Sequence, residues 1–155
     1  MKDTLIAIKT DSIPGIKDLP DYVKDYPKQL EQKSKNPVNR AVSFGNTTWS
    51  PKGGNFVIEV RSQDNKDRWL LKWDTATAKF GLLDRQRDEA WIGGPGIGFG
   101  RTIGWVDDAT LWFQSEKTGY SHLYIINVNT LDRKALTSGN YEVQQAQLSI
   151  DKKYF

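Results

Sequence analysis

Cysteine is absent from these 155 residues, and histidine and methionine each occur once. Without thiols there is no disulfide framework, zinc ribbon or thiol nucleophile, although the absence leaves the cellular compartment open. One imidazole with no thiol beside it removes most transition-metal sites, and no Asp-x-Asp-x-Asp-Gly loop offers itself to calcium. No Gly-x-Ser-x-Gly elbow occurs, and a serine nucleophile would have only His122 as its base. Charge of one sign is also scarce. The 22 Lys and Arg face 19 Asp and Glu, and a formal charge of +3 is too small a footprint to argue for nucleic acid or anionic lipid. No apolar run approaches the ~20 residues of a membrane-crossing helix. The stretch Leu5 to Ile8 is too short for a signal peptide and lacks its cleavage site. The chain is therefore expected to need no cofactor, to bind no nucleic acid and to cross no membrane.

What is present is aromatic and turn-rich. Phe, Trp and Tyr make up 12% of the chain, six of them Trp, and Gly and Pro punctuate the apolar runs, as in an all-β protein with many turns. Residues 1–41 stand apart. A first strand is expected at Thr4 to Lys9, followed by a charged connection carrying Pro14, Pro20, Pro27 and Pro37. Within it, Asp21 to Lys24 and Gln29 to Gln32 read as short helices, with Asp21 as a cap and Pro27 as an interruption.

From Val42 onward, short β-branched and aromatic runs alternate with Gly, Pro, Asp and Asn clusters. Thr47 to Trp49, Phe56 to Arg61, Arg68 to Trp73 and Lys79 to Leu83 form one four-stranded antiparallel meander. The same order returns about 55 residues later. Trp105 stands where Trp49 stood, Leu111 to Phe113 follows, His122 to Thr130 matches Trp69 to Thr75, and Arg133 to Thr137 matches Lys79 to Leu83. A third copy opens at Ala146. One meander cannot bury both faces, so repeats of this kind stack, and four strands per repeat favour a β-propeller. The expected fold is all-β, a partial propeller with blades at about 42–90 and 101–139 and the next beginning within 144–155. A single β-sandwich is the competing architecture. A truncated propeller exposes faces that neighbouring blades would cover, so the isolated chain is also expected to self-associate.

Several residues invite chemistry. His122 shares a strand face with Tyr124, Ile126 and Val128 and reads as a packed or hydrogen-bonded residue. The run Gly93-Gly94-Pro95-Gly96-Ile97-Gly98-Phe99-Gly100 lacks the Gly-Lys-Ser/Thr of a phosphate loop and reads as a flexible inter-blade linker. Trp69, Trp73, Trp91 and Trp112 are the candidates for stacking on sugars or bases, whereas Trp49 and Trp105 read as core. Asp88-Glu89, flanked by Arg85 and Arg87, is the one paired carboxylate near an aromatic and reads as a solvated charge cluster.

The segment Gly119-Tyr120-Ser121-His122-Leu123-Tyr124, followed by Leu136-Thr137-Ser138-Gly139-Asn140-Tyr141-Glu142-Val143, resembles the propeller of dipeptidyl peptidase IV and its bacterial relatives in the prolyl oligopeptidase family. Thr48-Trp49, Asp74 and Trp91-Ile92-Gly93 fall in order with it. Ser121 replaces that family's usual Arg, and Tyr141 its usual Trp. The resemblance spans 42–155. It implies a serine exopeptidase that removes short units from peptide N-termini, often with a penultimate proline. The propeller shields an α/β-hydrolase domain and shapes peptide access, while the catalytic residues and the paired-Glu anchor lie outside the resembling segment. It further implies a substrate-facing loop whose nearest equivalents here are Phe99 and Arg101. The partners implied are the peptide substrate and the remaining blades and hydrolase domain, in an exported protein. The alternative is a propeller-type scaffold for protein or carbohydrate ligands.

Overall fold

The computed structural model describes residues 9–98 and 103–155. The expected strand at Thr4 to Lys9 falls almost wholly outside them, and Lys9 itself belongs to no strand. The chain passes through 3-10 turns at Thr10–Ser12 and Asp21–Asp25 into helix α1, Pro27–Lys35. Pro27 begins this helix instead of interrupting one, because the first helical position needs no N–H and its fixed φ suits the turn. Asp21 is not a cap either. Its carboxylate takes the Lys24 ammonium at 2.5 Å, and the capping position falls to Pro20.

Two antiparallel meanders follow. The first runs β1 (Val42–Trp49), β2 (Phe56–Ser62), β3 (Asp67–Asp74) and β4 (Lys79–Arg87), and the second β5 (Ile103–Trp105), β6 (Thr110–Ser115), β7 (His122–Asn127) and β8 (Arg133–Ala135). The repeat extends to the turns. Asp74 caps the β3–β4 turn through the Ala76 amide and the Thr77 hydroxyl, and Asn127 does the same through the amides of Asn129 and Thr130. Each turn closes four residues on with a non-glycine in the left-handed region, Ala78 at φ 52° and Leu131 at φ 66°. That shared strain marks the meanders as copies of one unit.

The meanders stack face to face. Val57, Leu70 and Leu83 of the first meet Ile103, Trp105, Leu111, Phe113 and Ile126 of the second in one buried cluster, with Phe113 stacked on Tyr124 at 5.7 Å. The opposite face of the first sheet carries Ile58, Val60, Trp69, Leu71 and Phe80, and it is covered by the N-terminal segment through Ile13 and Ile16. The Trp69 indole donates to the Pro14 carbonyl at 2.9 Å, and the Arg40 amide to Ile16 O at 3.0 Å. The fold is all-β, two blades of a propeller, with an N-terminal strap lying where a preceding blade would sit.

One expectation needs correction. Trp105 is core, but its repeat equivalent Trp49 is 58% exposed and rests against Phe56 at 4.8 Å. Trp49 pairs with Phe56 and so shares the strap-facing side of the sheet, which Ile13 and Ile16 do not cover this far along β1. Residues 144–155 contain no strand, but their turn repeats the β1–β2 turn of the first blade. The Ser149 amide donates to Tyr154 O at 2.8 Å and its hydroxyl accepts the Tyr154 amide at 3.0 Å. In the same way the Ser50 amide donates to Asn55 O at 2.8 Å and its hydroxyl accepts the Asn55 amide at 3.1 Å. Phe155 lies edge-on to Trp112 at 5.6 Å.

Two tests follow from the strained turn and the strap. A left-handed L-residue costs about 1–2 kcal/mol and Gly in place of a side chain about 0.5–1, so Leu131→Gly, at an exposed site, should stabilise by about 0.5 kcal/mol; denaturant melts that show a loss would contradict the strain. Ile16→Asp should lift the strap and bare the Trp69 face, shifting sedimentation toward oligomers. An unchanged sedimentation profile with an unchanged melt would show that the strap is not the cover.

Candidate functional site: the loop between the blades

The segment joining the two sheets is built stepwise from local chemistry. Asp88 turns the chain by accepting from the Ala90 amide at 2.6 Å, and the Lys66 ammonium binds the carbonyls of Glu89 and Ala90. Ile92 is buried and donates its amide to Asn65 O at 2.8 Å. Between these moorings the Trp91 side chain is 70% exposed. Beyond Ile92 the second blade takes over. The Glu116 carboxylate accepts the amides of Gly93 at 3.1 Å and Gly94 at 2.8 Å, and the Ser121 hydroxyl donates to Pro95 O at 2.7 Å. A Cβ on Gly94 would collide with Glu116, and one on Gly96, at φ 69°, with the Gln114 side chain. Gly94 and Gly96 therefore serve close approach, and the hydrogen bonds over 93–98 correct the expectation of a flexible linker there.

Gln114 lies beneath this loop. Its side-chain amide donates to Val143 O at 2.7 Å and Ser121 Oγ at 3.2 Å, with a longer contact to Pro95 O at 3.4 Å. The motif around Ser121 thereby acquires a structural meaning. The Ser121 amide donates to Glu142, Val143 donates to Ser121 O at 2.8 Å, and His122 Nε2 sits 2.9 Å from Gly139 O. A carbonyl only accepts, so Nε2 carries the proton, and Nδ1 takes the Thr137 hydroxyl at 3.1 Å. Tyr141 closes edge-on to the imidazole at 5.2 Å. Both ring nitrogens are engaged, so His122 clasps residues 137–143 to β7. A cleft of about 280 Å³ beside it is lined by Tyr120, Tyr124, Thr137 and Ser138.

Buried charge fixes the blades on which the loop rests. Arg68, on the face between the sheets, is wholly buried, paired with Glu59 at 2.9 Å and donating across the interface to Gln114 O at 2.8 Å. Burial pushes Glu59 upward, but Arg68 and Arg61 outweigh it and hold the carboxyl below its usual range. For Asp84, burial prevails over the attraction of Arg133 at 2.5 Å and the carboxyl is pushed up. On the strap side, the fully buried Asp67 carboxylate gathers Arg40, Arg85 at 2.7 Å and Arg87 at 2.8 Å. Arg85 also pairs with Asp18, and Arg87 reaches Leu19 O at 2.9 Å, both on the strap.

Of the residues singled out from sequence, Phe99 and Arg101 lie outside the described residues. Among the candidate stackers Trp69 and Trp112 are buried and Trp73 packs on Phe80 at 5.0 Å, which leaves Trp91 as the exposed one. Glu89 binds Arg87 at 2.7 Å and the Asp21 amide at 2.7 Å, so Asp88-Glu89 shapes the loop and ties it to the strap. Among the described residues no cluster of His, Asp or Glu is arranged to hold a metal ion, and no helix is long and apolar enough to cross a membrane. Sequence reasoning passed over Glu116, Gln114, Arg68 and Asp67. A carboxylate just before a turn and charges inside strands look the same exposed or buried, and only the alternation of Glu59 and Arg61 with apolar neighbours hinted at a polar stripe.

Two stacked four-stranded blades joined by a pinned connecting loop define a propeller domain. A profile of the dipeptidyl peptidase IV (DPP IV) N-terminal region matches residues 26–155, and the chain belongs to that family. Among solved structures it is similar to a protein of Bacteroides ovatus assigned as a dipeptidyl aminopeptidase IV, at 20% identity and TM-score 0.50 over 64% of this chain. The chain spans 16% of that protein. An oligogalacturonate lyase in complex with manganese matches 64% of this chain and 24% of its own, at 15% identity and TM-score 0.41, too loosely to carry an argument. No curated protein matches.

The two buried carboxylates should respond in opposite senses. Glu59, depressed in the fold, contributes stability that is present above its unfolded pKa of about 4.3 and is lost as pH falls through the lower folded value. Asp84, raised in the fold, contributes stability present below about 3.9 and lost as pH rises through its folded value, so at neutral pH its charge is a cost. At pH 7, Glu59→Gln should therefore lose about 3 kcal/mol by stranding Arg68, while Asp84→Asn should lose less than about 1. Equal losses in urea melts of both variants would refute this assignment.

Proposed function

We propose that this chain is a non-catalytic propeller portion of a DPP IV-like serine exopeptidase, where it shields an α/β-hydrolase domain and shapes the passage of peptides to it. The observation that carries the reading is the family match over 26–155, joined to a connecting loop held on both blades with Trp91 standing out from it. The sequence has one histidine and no Gly-x-Ser-x-Gly elbow, which supports placing the catalytic residues outside this chain. The peptide substrate, the other blades and the hydrolase domain are then its partners, and the family's usual setting would make the protein an exported one. The loop from Trp91 to Arg101 is the part of this chain assigned to face the substrate cavity, with Phe99 and Arg101 in it.

Purified alone, the chain should show no turnover of dipeptidyl chromogenic substrates above blank. The full-length protein should carry a Gly-x-Ser-x-Gly elbow and a serine-directed inhibitor should abolish its activity. Turnover by the isolated chain that disappears in His122→Ala would overturn the division of labour. A full-length protein without the elbow, binding protein or sugar ligands instead, would leave the scaffold reading in its place.

A further inference from the structure

The loop ahead of residue 99 combines two features that rarely meet by chance. Its aromatic side chain, Trp91, is open to solvent, and its backbone is moored on either side of that residue. On one side stand the Lys66 contacts to Glu89 O and Ala90 O and the Ile92 amide on Asn65 O. On the other stands Glu116, on the consecutive amides of Gly93 and Gly94. An apolar ring on a rigid mount loses little freedom when a ligand covers it, which is why such aromatics serve as binding anchors. Solvent exposure alone explains neither the mount nor the side chain. A Trp on a mobile loop would serve solubility no better than a polar residue, and a loop needing only to cross between sheets would not need a carboxylate spent on two of its amides.

We propose that Glu116 is a positioning residue and Trp91 a ligand-contact residue. On this assignment the Glu116 carboxylate, helped by Ser121 on Pro95 and by Gln114 under Gly96, sets the height of the 91–96 arm. Trp91 is thereby presented to the apolar side chains of a peptide passing the propeller. This rests on the exopeptidase reading for the identity of the ligand; the clamp itself does not. Glu116 belongs to the second blade and Ile92 is moored to the first, so the position of the indole also reports how the two blades sit against each other.

The test uses the full-length protein with Glu116→Ala, Glu116→Gln and Trp91→Ala. In Glu116→Ala, amide exchange across 92–96 should accelerate at least tenfold, KM for peptide substrates should rise several-fold, and kcat and melting temperature should hold. Glu116→Gln, which keeps one acceptor, should recover part of both changes. Trp91→Ala should raise KM alike with the exchange unchanged. Unaltered exchange in Glu116→Ala overturns the clamp whatever the activity. Faster exchange with KM unmoved in an active enzyme, in either Glu116→Ala or Trp91→Ala, overturns the contact role. A parallel fall in kcat and melting temperature marks Glu116 as merely structural. A wild-type protein without peptidase activity removes the proposed function and with it the peptide as ligand, while the exchange data still decide the clamp.

Discussion

A guanidinium wholly buried between two sheets tolerates one arrangement of its surroundings, and Arg68 imposes that arrangement here. Its charge is matched by Glu59 on the neighbouring strand, and its remaining reach is spent on the carbonyl of Gln114 in the other blade. Apolar packing between the sheets is tolerant of sliding, because dispersion and burial change little when one β-branched side chain replaces another in contact. A directed, charge-assisted hydrogen bond is not tolerant, since a shift of one residue would leave a buried donor without an acceptor. The hydrophobic cluster of Val57, Leu70, Phe113 and Ile126 thus supplies adhesion, and Arg68 supplies registry. Gln114, whose carbonyl receives Arg68 and whose side chain reaches Ser121 and Val143, passes that registry on to the loop and to the segment beyond β8.

The outer face of the first sheet solves the same problem by other means. Among the described residues the cover is a strap of short turns, and its large apolar side chains in this cluster are Ile13 and Ile16. Charge adds to it. Asp67, at the start of β3, draws Arg40, Arg85 and Arg87 together, and Arg40 and Arg85 lie over the Trp69 ring at 5.5 and 5.6 Å. Trp69 is therefore enclosed by isoleucines, a proline carbonyl and two guanidinium planes. Among the described residues Trp49 and Phe44 lie beyond Ile13 and Ile16 and are exposed.

Much of this was legible in the sequence. The period of the repeat, the strand-and-turn punctuation and the role of His122 as a bonded strand residue all follow from local patterns, because the information sits within a few residues of where it acts. Trp49 shows where that reasoning stops. The repeat assigns it the environment of Trp105, yet burial depends on what lies across the sheet, and the strap differs from a blade. The glycine run shows the same limit from the other side. Gly94 and Gly96 lie close against the ends of the Glu116 and Gln114 side chains, about twenty residues ahead, and nothing in the run itself distinguishes a tether from a spacer. Pro27 was legible as a breaker, but whether it ends one helix or begins another depends on which side the hydrogen-bonded turns form.

The polar stripe across the inter-blade face also bears on how the chain comes into being. The first meander is complete at Arg87, while the strands that cover it end only at Ala135. During synthesis a sheet with a bare face of Val57, Leu70 and Leu83 would wait for some fifty residues, at risk of meeting another nascent chain. Glu59, Arg61, Arg68, Asp84 and Gln86 interrupt that face, and an unfinished sheet bearing them stays hydrated. Once β6 is in place, the carbonyl of Gln114 is the acceptor for Arg68. The side chains that register the blades are thus placed to serve as gatekeepers while the second sheet is unmade.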